Sequence, residues 1–437
     1  MTETTQINIG LIGFGNIGTG VVNALNNNGD LMAERVGVKL NLTRIADLDT
    51  ERKRNADYDP AILSADTKGL LNDPSIDVVI ELMGGIEPAR TFVETALKNG
   101  KHVVTANKAM LANHGAELFA LAEEKKVKLL FEASVGGGIP NIRAMMLGLC
   151  PNRIKGVYGI LNGTCNYILT QMTQTGMDFG DALEEAKRLG YAEPDPTYDI
   201  EGLDTAHKIA ILASLSFGQD IRFKDVFVEG ITRLSATDIK YATELGYTIK
   251  LLGLAKLTED GQALVRVHPT LLPKESQLAK VSGVFNAVLT DGDLVDKTMM
   301  YGRGAGASPT AAAICSDLME IAAFKLSGNS TPRRPNLRVP VGSKKLMPIG
   351  ELTTKYYLRF RADDKLGVLS KISASLGKNG VSICSMMQHG PHKTWAEIIL
   401  VTHPTCEAAI EAAVAEINAM PEVNENDGIV LRVEEGL

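Results

Sequence analysis

The chain has little cysteine. Five residues, Cys150, Cys165, Cys315, Cys384 and Cys406, are scattered over 437 positions with no metal-ligand spacing. So sparse and odd a set excludes a disulfide-stapled scaffold or a cysteine metal knuckle, and reads as reduced thiols of a cytoplasmic protein. Long apolar runs are missing too: no stretch approaches the roughly 18–20 unbroken apolar residues of a membrane span. Residues Met1–Gln6 lack the basic start, apolar core and cleavage site of a signal peptide. There is no excess of positive charge: 45 Lys and Arg face 52 Asp and Glu, a net charge of −7. Such a chain is a poor partner for nucleic acid or a membrane surface. Internal repeats and low-complexity segments are also absent. What is present is a chain 45% hydrophobic and too long for one core, so two or three domains are expected.

Residues 1–150 alternate strand and helix. Strands are expected at Ile7–Gly13, Leu40–Asp47, Asp77–Leu82, His102–Thr105 and Leu129–Ala133, with helices at Ile17–Asn28 and Glu87–Asn99. That alternation predicts an α/β unit, a parallel sheet with helices on both faces. Residues 151–326 read as α+β. A strand at Ile154–Leu161 is followed by helices at Thr164–Gln174, Phe179–Leu189 and Leu203–Phe217. Alternating runs from Tyr247 to Val288 suggest a mostly antiparallel sheet, and Ala305–Leu326 a long Ala-rich helix. Ser327–Gly350, rich in Pro, Gly, Lys and Arg, is expected to be a linker. Residues 351–437 read as a small separate unit in the order βαββαβ, a ferredoxin-like arrangement.

Gly13-Phe14-Gly15-Asn16-Ile17-Gly18 sets GxGxxG at the end of a strand and the start of a helix. Gly13 permits the tight turn, Gly15 lets a pyrophosphate reach the backbone, and Gly18 lets helix and strand approach. The helix start adds free N–H groups and a positive dipole end. A glycine turn used only for packing is the bland alternative, but the surrounding βα alternation favours dinucleotide binding. Asp47 ends the second strand, where a carboxylate binds ribose hydroxyls and repels a 2′-phosphate. Arg52, Lys53 and Arg54 follow and offer that phosphate a site, or simply form a solvated face. The balance points to NAD, with NADP left open.

Three further segments carry chemistry. Thr105-Ala106-Asn107-Lys108 lies at the C-terminal end of a parallel strand, where open sheets bind ligands. Glu132-Ala133-Ser134-Val135-Gly136-Gly137-Gly138-Ile139 exposes backbone carbonyls, as a flexible turn or as a cavity edge able to hold a hard cation. In Glu193–Lys208, Asp204 and Lys208 share one helix face. A surface ion pair would be the ordinary reading, but the helix they lead into is almost wholly apolar, so the pair more plausibly lines a cavity. Thr164 is expected to cap the helix it opens, and His207 to be structural. Cys165 raises a rival thiol mechanism, but no histidine lies near it in sequence, and a packed inert thiol is favoured.

In order along the chain, GFGNIG, TANK, FEASVGGGIP, LNGTCNYIL, GYAEPDPTYDIEGLDTAHK and YGRGAGASPTAAA resemble the homoserine dehydrogenase family over nearly the whole length. The resemblance implies reversible hydride transfer between L-homoserine and NAD(P)+, giving L-aspartate 4-semialdehyde, in threonine, methionine and isoleucine synthesis. By the same resemblance Lys208 is the proton donor and acceptor. Lys108 is a second active-site lysine that touches substrate and cofactor. Glu193, Asp199 and Asp204 hold the substrate ammonium, with Thr164 a further substrate contact. Gly13, Phe14, Gly15, Asn16, Ile17, Gly18, Asp47 and Arg54 belong to the nucleotide site, and Thr105 and Gly304 to its nicotinamide side. Glu132, Val135, Gly137 and Ile139 match a monovalent-cation site, for sodium or potassium. Members that prefer NADP often carry Arg where this chain has Ala46, which supports NAD. The helix within 302–326 is expected to pack back on the nucleotide domain, and residues 151–326 to bind substrate and dimerise. A lysine acting as base near neutral pH is expected to have its pKa lowered by desolvation or a like charge.

The C-terminal unit resembles an ACT domain: Asp363–Leu369 fits the first strand-to-helix turn and Asn379-Gly380-Val381 the next. The resemblance implies an amino-acid effector, L-threonine for this pathway, held near Asp364, Gly367 and Asn379. It also implies a homodimer or homotetramer. Catalysis is expected to survive removal of this unit. The competing functions are a thiol-dependent semialdehyde dehydrogenase using Cys165, and a non-catalytic amino-acid sensor.

Overall fold

The computed structural model describes residues 6–328, 345–390, 394–424 and 428–437. Most of the expected linker, 329–344, lies outside the described residues.

Six parallel strands form the first sheet: β1 (Gln6–Ile12), β2 (Lys39–Ala46), β3 (Leu63–Ser64), β4 (Val78–Glu81), β5 (His102–Thr105) and β6 (Leu129–Leu130). Their spatial order is β3-β2-β1-β4-β5-β6. The order reverses beside β1, the switch point at which open sheets of this type bind ligands. The helices are α1 (Asn16–Val36), α2 (Thr67–Asn72), α3 (Ala89–Lys98) and α4 (Lys108–Glu124). Helix α1 runs well past its expected end at Asn28, through weak helix formers. Asn23 and Asn26 donate to Asn55 O and Asp57 O, Met32 is buried, and Gly37 in the left-handed region (φ 83°) ends the helix. Tertiary contacts outweigh local propensity here. The two-residue β3 and the helices α2 and α4 have no counterpart among the elements expected from the sequence.

The second region contains α5 (Asn141–Arg143), β7 (Ile154–Ile160), α6 (Gly163–Thr175), α7 (Phe179–Arg188), α8 (Thr197–Ile200), α9 (Leu203–Phe217), β8 (Phe227–Val228) and α10 (Ala236–Glu244). The strands β9 (Tyr247–Leu257), β10 (Ala263–Pro273), β11 (Phe285–Gly292) and β12 (Asp296–Arg303) follow, then helix α11 (Ala307–Leu326). Helix α9 has the expected bounds and is apolar on almost every side because it is buried on almost every side. Helix α11 returns to the first sheet. Its Ala311, Ile314, Leu318 and Ile321 share a core with Ile7, Ile9 and Val21. The crossing of α1 and α11 is close: a Cβ at Gly20 would lie 2.7 Å from Ala307 O. No helix of the described residues is long and apolar enough to cross a membrane.

The last unit has β13 (Thr353–Asp363), α12 (Val368–Lys378), β14 (Ile383–His389), β15 (Trp395–Thr402), the short β16 (Thr405–Cys406), α13 (Glu407–Asn418) and β17 (Ile429–Val433). This is the expected βαββαβ order. Its attachment differs from a tethered separate unit. β17 pairs in parallel with β10, Thr270 opposite Arg432 and Leu271 opposite Val433. One sheet therefore runs β12-β11-β7-β9-β10-β17-β13-β15-β14. Tyr356, Leu358 and Phe360 pack under α12 and α13, while Tyr357, Ile399 and Leu431 join the core that holds α9 and α10. Buried charges cross the seam. Arg359 makes two bonds to the fully buried Asp238, at 2.6 and 3.1 Å. Arg266, 1% exposed, meets Glu434 at 2.8 Å, and Arg432 meets both Glu229 and Glu407. Two residues of parallel pairing leave no periodic signal in a sequence, which is why this junction was not foreseen.

Candidate active site

The glycine turn is built as a phosphate cradle. Gly13 has φ 93°, and its N–H donates to Ala46 O. A Cβ at Gly18 would lie 2.4 Å from Gly13 O, so helix and turn meet only because that residue is glycine. Beside Gly15 the space is open to at least 4 Å. Gly15 is the N-cap of α1 and offers no side chain, so the first N–H groups of the helix remain free for an anion. These residues fit a dinucleotide pyrophosphate. Asp47 stands at the end of β2, accepting from Phe14 N at 2.5 Å and Asp49 N at 2.9 Å, with Arg54 at 3.3 Å. The Arg54 side chain is 2% exposed, donates to Phe14 O at 2.9 Å and lies over the Phe14 ring. Arg54 thus braces the turn from within, and its guanidinium is spent on protein groups. The hydroxyl of Thr105, expected at the nicotinamide side, donates at 2.5 Å to Glu81, a buried carboxylate that the sequence did not single out. Burial pushes the Glu81 carboxyl up, against the bonds from Thr105 and Met83 N.

Two lysines from different regions converge on one carboxylate. Lys108 opens α4, whose N-cap is Asn107, and Lys208 lies one turn into α9. Lys108 Nζ is 3.0 Å from Asp204 Oδ1, and Lys208 Nζ is 2.7 Å from Asp204 Oδ2 and 2.6 Å from Leu161 O. Burial opposes ionisation of Asp204, but Lys208 and then Lys108 outweigh it and hold its carboxyl well below the usual range. Asp204 in turn raises the pKa of Lys108 against the pull of burial. The expected lowering of a catalytic lysine is therefore not found at Lys108, because its nearest neighbour is a carboxylate rather than a like charge. Asp199 stands beside the pair, its pKa raised by burial and by Asp204. Glu193 is exposed, yet close enough for its charge to act on Lys108. The Tyr198 ring lies 5.9 Å from Lys108 Nζ, and its hydroxyl meets His207 Nδ1 at 2.7 Å. His207 also meets Leu203 O and stacks on Phe223, as a structural histidine would.

Asn162, not Thr164, caps α6: its Oδ1 accepts from Cys165 N at 2.8 Å. The Thr164 hydroxyl instead donates to Tyr191 O at 2.6 Å, tying the helix start to the segment that carries Glu193. The Cys165 thiol is fully buried and donates to Asp199 O, and burial followed by Asp199 and Asp204 raises its pKa well above the ordinary value. A thiolate at that position is strongly disfavoured, which removes the physical basis of a thiol mechanism.

The group assigned to a cation is in part hydrogen-bonded within the chain. Both Glu132 oxygens accept backbone N–H bonds, from Ile142 and Arg143, each at 2.8 Å. Ile139 O accepts from Asn141 N, and Val135 O from Asn141 Nδ2. Gly137 abuts Gly304 O, so this loop touches the Gly302–Gly306 loop. Among the described residues no group of three His, Cys, Asp or Glu side chains is placed to hold a metal ion. The effector residues are not brought together within the chain. Gly367 (φ 89°) caps the N-terminus of α12 and Asn379 its C-terminus, ends separated by about 16 Å of helix. Asp364 lies near Gly367, within reach of Gln388.

Three family models match the chain: homoserine dehydrogenase, NAD binding domain, over residues 13–132; homoserine dehydrogenase over 140–319; and ACT domain over 356–422. A homoserine dehydrogenase of Neisseria gonorrhoeae is 45% identical over 418 residues, 95% of each chain. The crystal structure of a homoserine dehydrogenase from Thiobacillus denitrificans superposes with a TM-score of 0.90 at 41% identity, covering 98% of both chains. A hyperthermophilic archaeal homoserine dehydrogenase in complex with NADPH matches 76% of this chain and all of its own, with a TM-score of 0.62 and 26% identity.

Proposed function

The chain belongs to the homoserine dehydrogenase family, an NAD(P)-linked oxidoreductase with a C-terminal ACT domain, and we propose how its residues divide the work. The reaction exchanges the side-chain alcohol of L-homoserine and the aldehyde of L-aspartate 4-semialdehyde. When bound, the nicotinamide supplies or accepts the hydride. The observation that carries the assignment is the meeting of Lys108 and Lys208 on Asp204 from two regions of the chain. Lys208, the more deeply buried of the two, moves the proton at the substrate oxygen. Lys108 is kept cationic by Asp204 and donates a hydrogen bond to the same oxygen, stabilising negative charge as it develops there. Asp199 and Glu193, with Asp204, supply the negative field for the substrate ammonium.

The cofactor preference we assign is NAD. Asp47 is placed for ribose hydroxyls, and Arg54, which pairs with it, is buried against Phe14 rather than free for a 2′-phosphate. The archaeal neighbour bound to NADPH shows what that protein accepts. The main-chain oxygens of Glu132, Val135, Gly137 and Ile139 would hold a monovalent cation, two of them already accepting from Asn141, and no step is routed through one. For the C-terminal unit we propose L-threonine as effector. Self-association is supported by the edge strand β12 and its turn, where Leu294, Val295, Met299 and Tyr301 are exposed. The deciding experiment is Lys208→Ala assayed with homoserine and each cofactor. Turnover is expected to fall roughly 10²–10⁴-fold with cofactor affinity unchanged. Near-normal turnover in a folded variant would overturn the assignment.

A further inference from the structure

Asn162 makes more contacts than a helix cap needs. Its Oδ1 satisfies the N-terminus of α6 through Cys165 N, at 2.8 Å. Its Nδ2 has no part in capping. That group donates to Asp199 Oδ1 at 2.7 Å and to Asp204 Oδ2 at 2.8 Å. The residue is 5% exposed, at the turn between β7 and α6. One amide nitrogen therefore sits between two carboxylates that otherwise repel each other in a buried setting. The same Asp204 Oδ2 receives Lys208 Nζ at 2.7 Å, and Asp204 Oδ1 receives Lys108 at 3.0 Å.

We propose that Asn162 is a positioning residue for the dehydrogenase reaction, holding Asp199 and Asp204 as a fixed, ionised pair through its two N–H groups. Hydrogen bonds to the charged form of a carboxylate favour that form. Asparagine is suited to this place because it carries an acceptor and a two-proton donor on one rigid plane. The acceptor is locked by the helix start, so the donor has a single direction. That direction holds Asp204 where it can face both lysines, and it fixes Asp199 beside the substrate ammonium. The proposal rests on the active-site reading above, since it acts through Asp199 and Asp204.

Two variants separate positioning from capping. Asn162→Asp keeps the acceptor for Cys165 N and the shape, but turns the donor into an oxygen of a third carboxylate. Its acid limb in the pH profile of kcat/KM for homoserine should move up by about one unit or more, because a third negative charge favours protonation of the pair. Asn162→Ser keeps a good cap but is too short to reach either carboxylate. Its kcat/KM should fall roughly 10–10²-fold, as expected for lost bonds to charged groups, a loss larger than its fall in thermal stability accounts for, with cofactor affinity close to the parent. If Asn162→Asp keeps the parent pH profile, or if activity in both variants follows only their loss of thermal stability, Asn162 is a cap and the proposal fails. Lys208→Ala measured alongside keeps the two ideas apart. Full activity in that variant removes the lysine assignment, whereas the Asn162→Asp limb still reports on the carboxylate pair.

Discussion

Replacing Asp204 by Asn removes one charge and almost no volume. Its carboxylate lies 2.7–3.0 Å from two ammonium groups. At an effective dielectric near 20, a pair about 3 Å apart attracts by about 5 kcal/mol. The Lys108 side chain is 34% exposed, so solvent screens its share, and roughly 2–3 kcal/mol, or about two pKa units, is a fair allowance. Without Asp204, burial acts on Lys108 with only the charges of Asp199 and Glu193 left to oppose it. The lysine then titrates below its present raised value, toward or under the ordinary lysine range. The assay is the pH dependence of kcat and kcat/KM for homoserine from about pH 6 to 11, where the limb assigned to lysine deprotonation should move down by about two units. Stability gives a second reading. Asp204 has a depressed carboxyl pKa, so its contribution is present above the unfolded value of 3.8 and is lost as pH falls toward the folded one. Lys108 is raised, so its contribution is full below the unfolded value of 10.5 and is lost as pH rises through the folded one. Asp204→Asn should flatten both ends of the urea-midpoint profile. If the catalytic limb stays in place and the stability profile keeps both shoulders, Asp204 does not govern the lysines.

The remaining predictions concern the thiol, the ribose, the seam and the effector. Cys165→Ser should retain turnover within a few-fold, since its thiol only donates to Asp199 O; complete loss in a folded variant would revive nucleophilic chemistry. Asp47→Ser should weaken NAD use and improve NADP use, measured as the ratio of kcat/KM values, because it removes the carboxylate and loosens Arg54; an unchanged ratio shows that Asp47 does not read the ribose. A chain ending near Met347 should lose activity or aggregate rather than work as a free-standing enzyme, since β10 loses β17, and Arg266 and Asp238 lose Glu434 and Arg359; a monodisperse, fully active truncation would refute this. Threonine titration of the full chain should show inhibition that Gly367→Asp abolishes and Gly367→Ala, sharing the same strain at φ 89°, largely keeps; equal loss in both variants would trace the effect to backbone strain alone.

The glycine turn and α9 were legible in advance because each is specified locally. Gly13, Gly15 and Gly18 have a spacing dictated by one turn, and the apolar run from Leu203 to Phe217 requires burial wherever it lies. The pairing of Lys208 with Asp204 follows from helix periodicity alone. The approach of Lys108 to the same carboxylate does not, because it needs the two regions docked. Asn162 illustrates the same limit. The sequence pointed to Thr164 as the cap of that helix, and the bonds of Asn162 to Asp199 and Asp204 cross about forty residues of chain. The seam between β10 and β17 was least legible, since its pairing is short and its buried arginines look like ordinary surface charges in a sequence. Arg54 misled for a related reason: a basic run after β2 suggested a phosphate ligand, yet one of its members is buried under Phe14.

That seam also bears on how the protein is made. β10 acquires β17 as a neighbour only when residues 429–433 have left the ribosome, because Leu271 waits for Val433. At about 5–20 residues per second, the intervening stretch of about 160 residues takes roughly 10–30 s to synthesise. Through that interval β10 beyond its pairing with β8 presents an open edge at Thr270 and Leu271, and Arg266 lacks Glu434. An unpaired edge on a nearly finished sheet is a place where nascent chains pair with the wrong partner. The arrival of β17 thus completes the sheet, and conditions that slow elongation over residues 345–437 should raise the share of chains captured by chaperones or lost to aggregation.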